Sequence, residues 1–129
     1  MLFRIICPLF YVSFGGLLYY GLEMLYRGHS HYSMFLCGGI IFYCISLLNR
    51  KYESSLHTVT RMILSTFIIL FFELLFGYIF NLHLHMDVWD YFTQPYNYKG
   101  QICLQFAILW FFLAFPILFL EKKIRYLFL

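Results

Sequence analysis

Apolar residues in this chain fall into four long runs that are separated by three more polar segments. The runs cover residues 5–26, 34–48, 62–82 and 101–120. A helix that spans a bilayer needs about 20 consecutive, mainly apolar residues. The run 34–48 is the shortest, so we expect its helix to extend into the flanking residues. The pattern predicts an all-α membrane protein with four transmembrane helices, and residues 1–129 form a single transmembrane domain.

Composition supports this prediction. The chain is 63% hydrophobic and only 12% charged, whereas soluble domains are about 25% charged. A soluble protein of 129 residues has too much surface for its volume to bury so many apolar side chains. We interpret the first run as a retained helix rather than a signal peptide, because it continues to Leu25 without a cleavage motif.

The distribution of basic residues predicts the orientation in the membrane. With four spans, seven Lys and Arg residues fall on one side: Arg4, Arg50, Lys51, Arg61, Lys122, Lys123 and Arg125. The other side has Arg27 and Lys99. Because cytoplasmic segments carry the excess of Lys and Arg, we predict that both termini are cytoplasmic and that residues 83–100 form an outer loop. The protein is then a multi-pass protein of the cytoplasmic membrane.

Two carboxylates inside the apolar runs are candidates for chemistry. Glu23 has Arg27 four residues later, and Glu73 shares a helical stripe with Gly77 and Asn81. A charge within a transmembrane helix costs about 2.5–3.5 kcal/mol on insertion scales, so it needs a partner, water or a proton. Glu23, Arg27, Glu73 and Asn81 therefore form a candidate polar or ion site between helices. A structural clamp across the bundle is the alternative, and the sequence leaves both open.

The two halves of the chain look alike. Glu23 and Glu73 each lie late in a helix and precede a polar outer loop. Duplication of a helical hairpin explains this similarity, and so does chance matching between apolar segments of low complexity.

The second outer loop contains a dense group of polar and aromatic residues. Together with the first outer loop it gives a set that we call the signature residues: His31, Trp89, Asp90, Asn97, Gly100 and Gln101. The aromatic side chains are too numerous to remain in water, so we expect the loop to fold over the outer ends of the helices as a lid. Asp90 and Asn97 would then satisfy backbone N–H groups or pair with a basic residue such as Arg27 or Lys99.

Other kinds of site find little support in the sequence. His83 and His85 lie near Asp87, but a His-x-His pair is weak evidence for a metal and we predict no metal site. No nucleophile–base set, nucleic-acid patch or phosphate-binding loop is present in the sequence. We therefore predict no enzyme activity, no cofactor and no nucleic-acid partner.

Two ordered motifs resemble a known family. The first is Arg27-Gly28-His29-Ser30-His31-Tyr32-Ser33-Met34-Phe35, followed by Gly38-Gly39. The second begins at Glu73, Gly77 and Asn81 and continues through Trp89-Asp90-Tyr91, Pro95, Asn97 and Gly100-Gln101-Ile102-Cys103-Leu104, with Trp110 beyond. Both are similar to motifs of the bacterial family catalogued as "Putative ABC-transporter type IV", the CmpB-like membrane proteins. Phe92 and Tyr32 depart from it, where the family has serine and tryptophan.

The resemblance implies a membrane component of a transporter in a bacterial cytoplasmic membrane. The sequence leaves open whether a separate ATPase subunit is its partner. Since four short helices rarely enclose a route alone, a transporting form is expected to be a homodimer in the lipid bilayer. The alternative is a structural or regulatory membrane protein whose signature loop holds the helices and docks a partner. The substrate is not indicated.

Overall fold

The computed structural model describes residues 2–28, 32–83, 95–100 and 102–128. It contains four α-helices: α1 (Leu2–Arg27), α2 (Tyr32–Tyr52), α3 (Thr58–Phe76) and α4 (Leu104–Phe128). A π-helical segment, Gly77–His83, continues α3. Two short antiparallel strands, β1 (Asn97–Tyr98) and β2 (Ile102–Cys103), precede α4. The predicted set of four helices is confirmed.

Three of the helices are long and apolar enough to cross a membrane within the described residues. They cover Tyr32–Tyr52, Thr58–Asn81 and Leu104–Leu127. The first helix, α1, is not among these three. A fourth span along α1 and the orientation of the termini remain predictions.

Several predicted boundaries were wrong, and the differences have physical causes. The segment 49–61 is not one polar loop, because α2 continues to Tyr52 and α3 begins at Thr58. His57 caps α3, since its Nδ1 accepts a hydrogen bond of 3.3 Å from the backbone N–H of Val59. α4 begins at Leu104 rather than at 101, because Ile102 and Cys103 pair with β1.

The end of α4 also differs from the prediction. The helix continues from residue 120 to Phe128 instead of giving way to a separate tail. Glu121 and Ile124 are buried in this last part of α4, with exposures of 0% and 5%. Their contacts with the other helices therefore hold the predicted tail in helical form.

Close packing of α1 against α2 depends on glycines. A Cβ at Gly15 would overlap the side chain of Phe42, and a Cβ at Gly38 would overlap that of Tyr19. Small residues allow helix backbones to approach closely in membranes. The predicted role of Gly15 in close approach is thus supported, whereas Gly21 faces open space.

α2, α3 and α4 share the main apolar core. It contains Cys37, Ile41, Ile45, Met62, Ile69, Ala114 and Leu118. Large apolar side chains also remain exposed along α3 and α4, among them Phe67, Phe71, Phe112, Phe115 and Phe119. Helices that are apolar on all faces are typical of membrane spans, and this exposed surface suits lipid.

Long-range contacts identify the two ends of the bundle. Arg125 near the end of α4 bonds Glu53 in the turn after α2, and Tyr11 in the first half of α1 bonds Glu121. We call this the Glu121 end. Glu73, the π-helical segment and the β1–β2 hairpin lie toward the opposite end, which we call the Glu73 end.

Candidate functional site

Glu73 is buried among three helices. Its side chain extends from α3 and is only 2% exposed. The hydroxyl of Tyr19 on α1 donates a hydrogen bond of 3.1 Å to Glu73 Oε1. Tyr19 also stacks on Trp110 of α4, with ring centroids 5.6 Å apart and planes inclined by 21°. The carboxylate therefore faces neighbouring helices rather than lipid, as the sequence predicted.

The other oxygen of this carboxylate has no hydrogen-bond partner among the described residues. Glu73 Oε2 is fully buried, and so is the indole Nε1 of Trp110, which likewise has none there. Trp110 interacts electrostatically with the carboxylate, but its geometry does not complete a hydrogen bond. Buried polar atoms without partners cost about 1–3 kcal/mol each, so this half of the site is incomplete.

A second carboxylate acts on Glu73. The charge of Glu23 on α1 interacts unfavourably with that of Glu73. The two acidic residues that the sequence singled out are thus electrostatically coupled at the Glu73 end. Like charges that are close together favour binding of a proton or a cation.

The remaining residues of the predicted polar site are placed in part. Asn81 lies in the π-helical segment, eight residues after Glu73, and is buried at 6% exposure. Arg27 is the last residue of α1, but its side chain lies outside the described part. Segments of π-helix are rare and occur often at functional sites.

An apolar cavity of about 220 Å³ lies between the helices, and Glu73 is not among its lining residues. Two of its lining residues, Tyr19 and Trp110, are the aromatic pair that contacts or acts on the carboxylate. Ile69, one helical turn before Glu73, also lines it. The cavity lies mainly between α1, α2 and α4, and Ile69 is its one lining residue from α3.

Some signature residues belong to a hairpin. Asn97 of β1 pairs with Cys103 of β2, and Tyr98 pairs with Ile102. Lys99 and Gly100 have φ values of +52° and +72°, which are typical of mirror-image hairpin turns. The turn predicted near Asn97 and Gly100 is present. His31, Trp89, Asp90 and Gln101 lie outside the described residues, as do His85 and Asp87.

Sequence reasoning missed a second polar cluster at the Glu121 end. Glu121 is fully buried and accepts hydrogen bonds from Tyr11 (2.9 Å) and from Asn49 Nδ2 (2.7 Å). Arg125 lies 3.3 Å from Glu121 Oε1. Arg61 of α3 donates to Asn49 Oδ1. All four helices thus contribute a side chain to this cluster.

Glu53 extends the cluster to the surface. Its carboxylate pairs with Lys122 at 3.1 Å and with Arg125 at 2.8 Å. Partial burial alone would raise the pKa of Glu53, but hydrogen bonds from Lys122 and Arg125 and their positive charges bring it below its ordinary value. The i,i+4 spacing of Glu121 and Arg125 was the available sequence signal. It was overlooked because the segment was interpreted as a tail.

The two buried carboxylates differ in their surroundings. Donors from α1, α2 and α4 surround Glu121, whereas Glu73 has one donor among the described residues, Tyr19, and its Oε2 has no partner there. Glu121 therefore has the environment of a structural clamp. Among the described residues no group of three His, Cys, Asp or Glu side chains could hold a metal ion.

A bundle of apolar helices with a buried acidic site defines the class as a small integral membrane protein. More particularly, residues 7–127 match the family described as "Putative ABC-transporter type IV", so the chain belongs to this family. The resemblance of the two motifs is thereby confirmed. No curated protein and no solved structure matches the chain.

Proposed function

We propose that this protein is the membrane component of a transporter and that Glu73 is the centre of its polar site. The observation that carries the proposal is the buried Glu73 Oε2 without a hydrogen-bond partner in the described structure. A residue that served only as a clamp would be expected to have its lone pairs satisfied, as those of Glu121 are. Glu23 and Asn81 complete the site in this proposal, with Arg27 at the end of α1.

The signature loop belongs to the same proposal. The β1–β2 hairpin precedes α4 directly, and α4 carries Trp110 toward Glu73. In this proposal the loop that precedes the hairpin covers the Glu73 end as a lid. An Asp90–Arg27 pair would fasten it, and a double-mutant cycle of Asp90→Ala and Arg27→Ala with no coupling energy would rule the pair out.

Water access to the Glu73 region tests the transport role without knowledge of a substrate. In a variant with Cys7, Cys37, Cys44 and Cys103 replaced by alanine, single cysteines are introduced at 73, 77 and 81. A membrane-impermeant thiol reagent should label at least one of them if a polar route reaches the site. Phe71→Cys, at a lipid-facing position with 61% exposure, is the matched control and should react slowly.

Failure to label positions 73, 77 and 81 in a folded protein would contradict the polar route. The folded state is checked by size-exclusion chromatography and by labelling after the protein is unfolded in SDS. Labelling only of Phe71→Cys would likewise argue that the region is closed to water and that Glu73 has a structural role.

A structural or regulatory protein is the second candidate function. The β1–β2 hairpin favours it, because Gly100 and Asn97 have a conformational role there that requires no ligand. The two candidate functions predict different partner proteins. A transporter component should co-purify with an ATP-hydrolysing subunit whose turnover changes with Glu73→Gln, whereas a regulatory protein should co-purify with a partner whose activity does not depend on Glu73.

A further inference from the structure

The cavity between α1, α2 and α4 offers only hydrocarbon from its lining side chains. Tyr19 and Trp110 are the two lining residues whose side chains carry a polar atom. The hydroxyl of Tyr19 is buried in its hydrogen bond to Glu73, and the indole Nε1 of Trp110 has no accessible surface. Apolar cavities of this kind stay dry. The cavity therefore suits an apolar occupant rather than water or a polar ligand.

The same cavity is accessible from outside the bundle. α1 packs closely against α2, but among the described residues it has little contact with α4. Two lining residues, Leu22 on α1 and Pro116 on α4, are exposed. Pro116 lies near the middle of a helix that is long and apolar enough to cross a membrane, so the medium beside it is lipid hydrocarbon. A neighbouring lipid chain that enters the cavity gains the packing contacts that an empty void lacks.

The length of the cavity matches one hydrocarbon chain. On α4 its lining extends from Trp110 to Leu120, which corresponds to about 15 Å along a helix. The hydrocarbon core of a bilayer is about 30 Å thick. The cavity is therefore about as long as the part of the core that one chain occupies in its own leaflet.

Basic residues lie beyond one end of the cavity. The lining residues Leu113, Pro116 and Leu120 are three and four residues apart on α4, and Lys123 continues this stripe by one more turn. Lys123 is exposed, and its ammonium group lies over the ring of Phe119, 5.7 Å from the ring centroid. A lipid whose chain enters between α1 and α4 from this side would have its headgroup beside Lys123.

The charge at this end selects the kind of headgroup. Two carboxylates, Glu53 and Glu121, lie at the Glu121 end within the described part of the chain. The basic residues there are Arg50, Lys51, Arg61, Lys122, Lys123 and Arg125. Protonation of either carboxyl group would only increase the excess of positive charge. Basic residues at a membrane surface attract anionic lipids, so a headgroup with a net negative charge is favoured over a zwitterionic one.

We propose that the cavity between α1, α2 and α4 holds one acyl chain of an anionic phospholipid whose phosphate lies beside Lys123. The chain would fill the gap between α1 and α4, and its end would reach Tyr19 and Trp110. This inference goes beyond the transport role and does not depend on it, because a bound lipid is compatible with both candidate functions.

Quenching of Trp110 fluorescence by brominated phospholipids tests the proposal. The chain has two tryptophans, so Trp89→Phe leaves Trp110 as the only one. The full-length variant is reconstituted in phosphatidylcholine vesicles that contain increasing amounts of phosphatidylglycerol or phosphatidylcholine brominated toward the ends of the chains. Half-maximal quenching should require about five- to thirtyfold less brominated phosphatidylglycerol than brominated phosphatidylcholine, the factor that one or two lysines near a membrane surface supply.

A second tryptophan position reports the bulk lipid. Phe112 is 65% exposed on α4 and is not among the lining residues of the cavity. Phe112→Trp, in a protein that also carries Trp89→Phe and Trp110→Phe, is therefore the matched control. It should be quenched equally by the two brominated lipids.

Four further variants locate the lipid. Lys123→Gln should raise the amount of phosphatidylglycerol needed for half-maximal quenching by about fivefold. Lys99→Gln, in the hairpin at the opposite end of the bundle, should leave it unchanged. Leu18→Phe and Leu113→Phe each place a larger side chain in the cavity and should reduce the quenching of Trp110 by both lipids. Size-exclusion chromatography checks that these two variants are folded, and their agreement excludes a defect peculiar to one of them.

Each contrary outcome overturns a distinct part of the inference. Equal quenching of Trp110 by the two lipids would refute an anionic headgroup site. Quenching that neither Leu18→Phe nor Leu113→Phe reduces would show that the chain does not enter the cavity. Loss of the preference with Lys99→Gln instead of Lys123→Gln would place the headgroup at the opposite end. A preference at Phe112→Trp as strong as that at Trp110 would show general enrichment of anionic lipid around the protein and no site.

Discussion

The hydroxyl of Tyr19 on α1 donates a hydrogen bond of 3.1 Å to Oε1 of Glu73 on α3. The same helix supplies Tyr11 to the other buried carboxylate, Glu121, at 2.9 Å. Eight residues separate the two tyrosines, which corresponds to about 12 Å along a helix. α1 therefore connects two acidic centres, one with an oxygen that has no partner among the described residues and one that is surrounded by donors.

Tyr19→Phe should destabilise the protein by about 1–3 kcal/mol, because Glu73 loses its hydroxyl donor. Unfolding in a mixed-micelle titration measures the change in free energy. Tyr78→Phe is the control, since Tyr78 is 56% exposed, and it should shift stability by no more than about 0.5 kcal/mol. A double-mutant cycle of Tyr19→Phe with Glu73→Gln should show coupling; additive effects would mean that this hydrogen bond contributes nothing.

Glu121→Ala should destabilise the protein by about 1–3 kcal/mol, because the buried donors of Tyr11 and Asn49 lose their acceptor while Arg125 keeps Glu53. The same mixed-micelle unfolding titration measures this change in the free energy of unfolding. Lys123→Ala, two residues away on an exposed face, is the matched control and should have little effect. If both substitutions have equally small effects, the cluster at the Glu121 end is not a clamp.

Gly38→Ala should destabilise the protein by about 1–3 kcal/mol, because the new Cβ would overlap Tyr19 and displace it from Glu73. Gly21→Ala provides the opposite case. No atom of the described residues lies within 4 Å of a Cβ at Gly21, so alanine should stabilise α1 by about 0.5–1 kcal/mol. Thermal unfolding of both variants in one detergent tests the contrast, and a neutral Gly38→Ala would argue against close packing of α1 on α2.

Stability should fall in acid as Glu53 is protonated. The folded pKa of Glu53 is below its ordinary value of 4.5, so its contribution is fully present above about pH 4.5. It is lost as the pH falls through the lowered folded pKa. The difference in melting temperature between the parent and Glu53→Gln should therefore shrink below pH 4.5, and a constant difference down to pH 3 would contradict the pairing with Lys122 and Arg125.

Topology can be tested at two positions. Ser54→Cys, in the turn between α2 and α3, should be labelled from the cytoplasm, and Thr93→Cys should be labelled from outside. The expectation follows from the predominance of Lys and Arg on the side of the termini. Labelling of both cysteines from one side would show that the four-span arrangement is wrong.

The glycines illustrate how far sequence reasoning could go. Gly15, Gly16 and Gly21 all suggested close helix contacts, but only the first two face α2. A glycine in the sequence shows that another helix can approach closely at that position. The rotation of the helix about its axis decides whether a neighbouring helix lies on that side. The predicted turn around Gly100 was accurate because turn preference is a local property of the backbone.

The sequence by itself determined the membrane class, the number of helices and the family, since apolar run length and ordered motifs are local properties of the chain. It also indicated that Glu73 faces the bundle, because helical periodicity fixes the face of a residue. Only the tertiary structure decided which of the two buried carboxylates, Glu73 or Glu121, has hydrogen-bond donors for both of its oxygens. Asn49 and Glu121 are 72 residues apart in the chain, and a donor at that distance leaves no local signal. The unpartnered oxygen of Glu73 was equally invisible, because it depends on how α1, α3 and α4 meet.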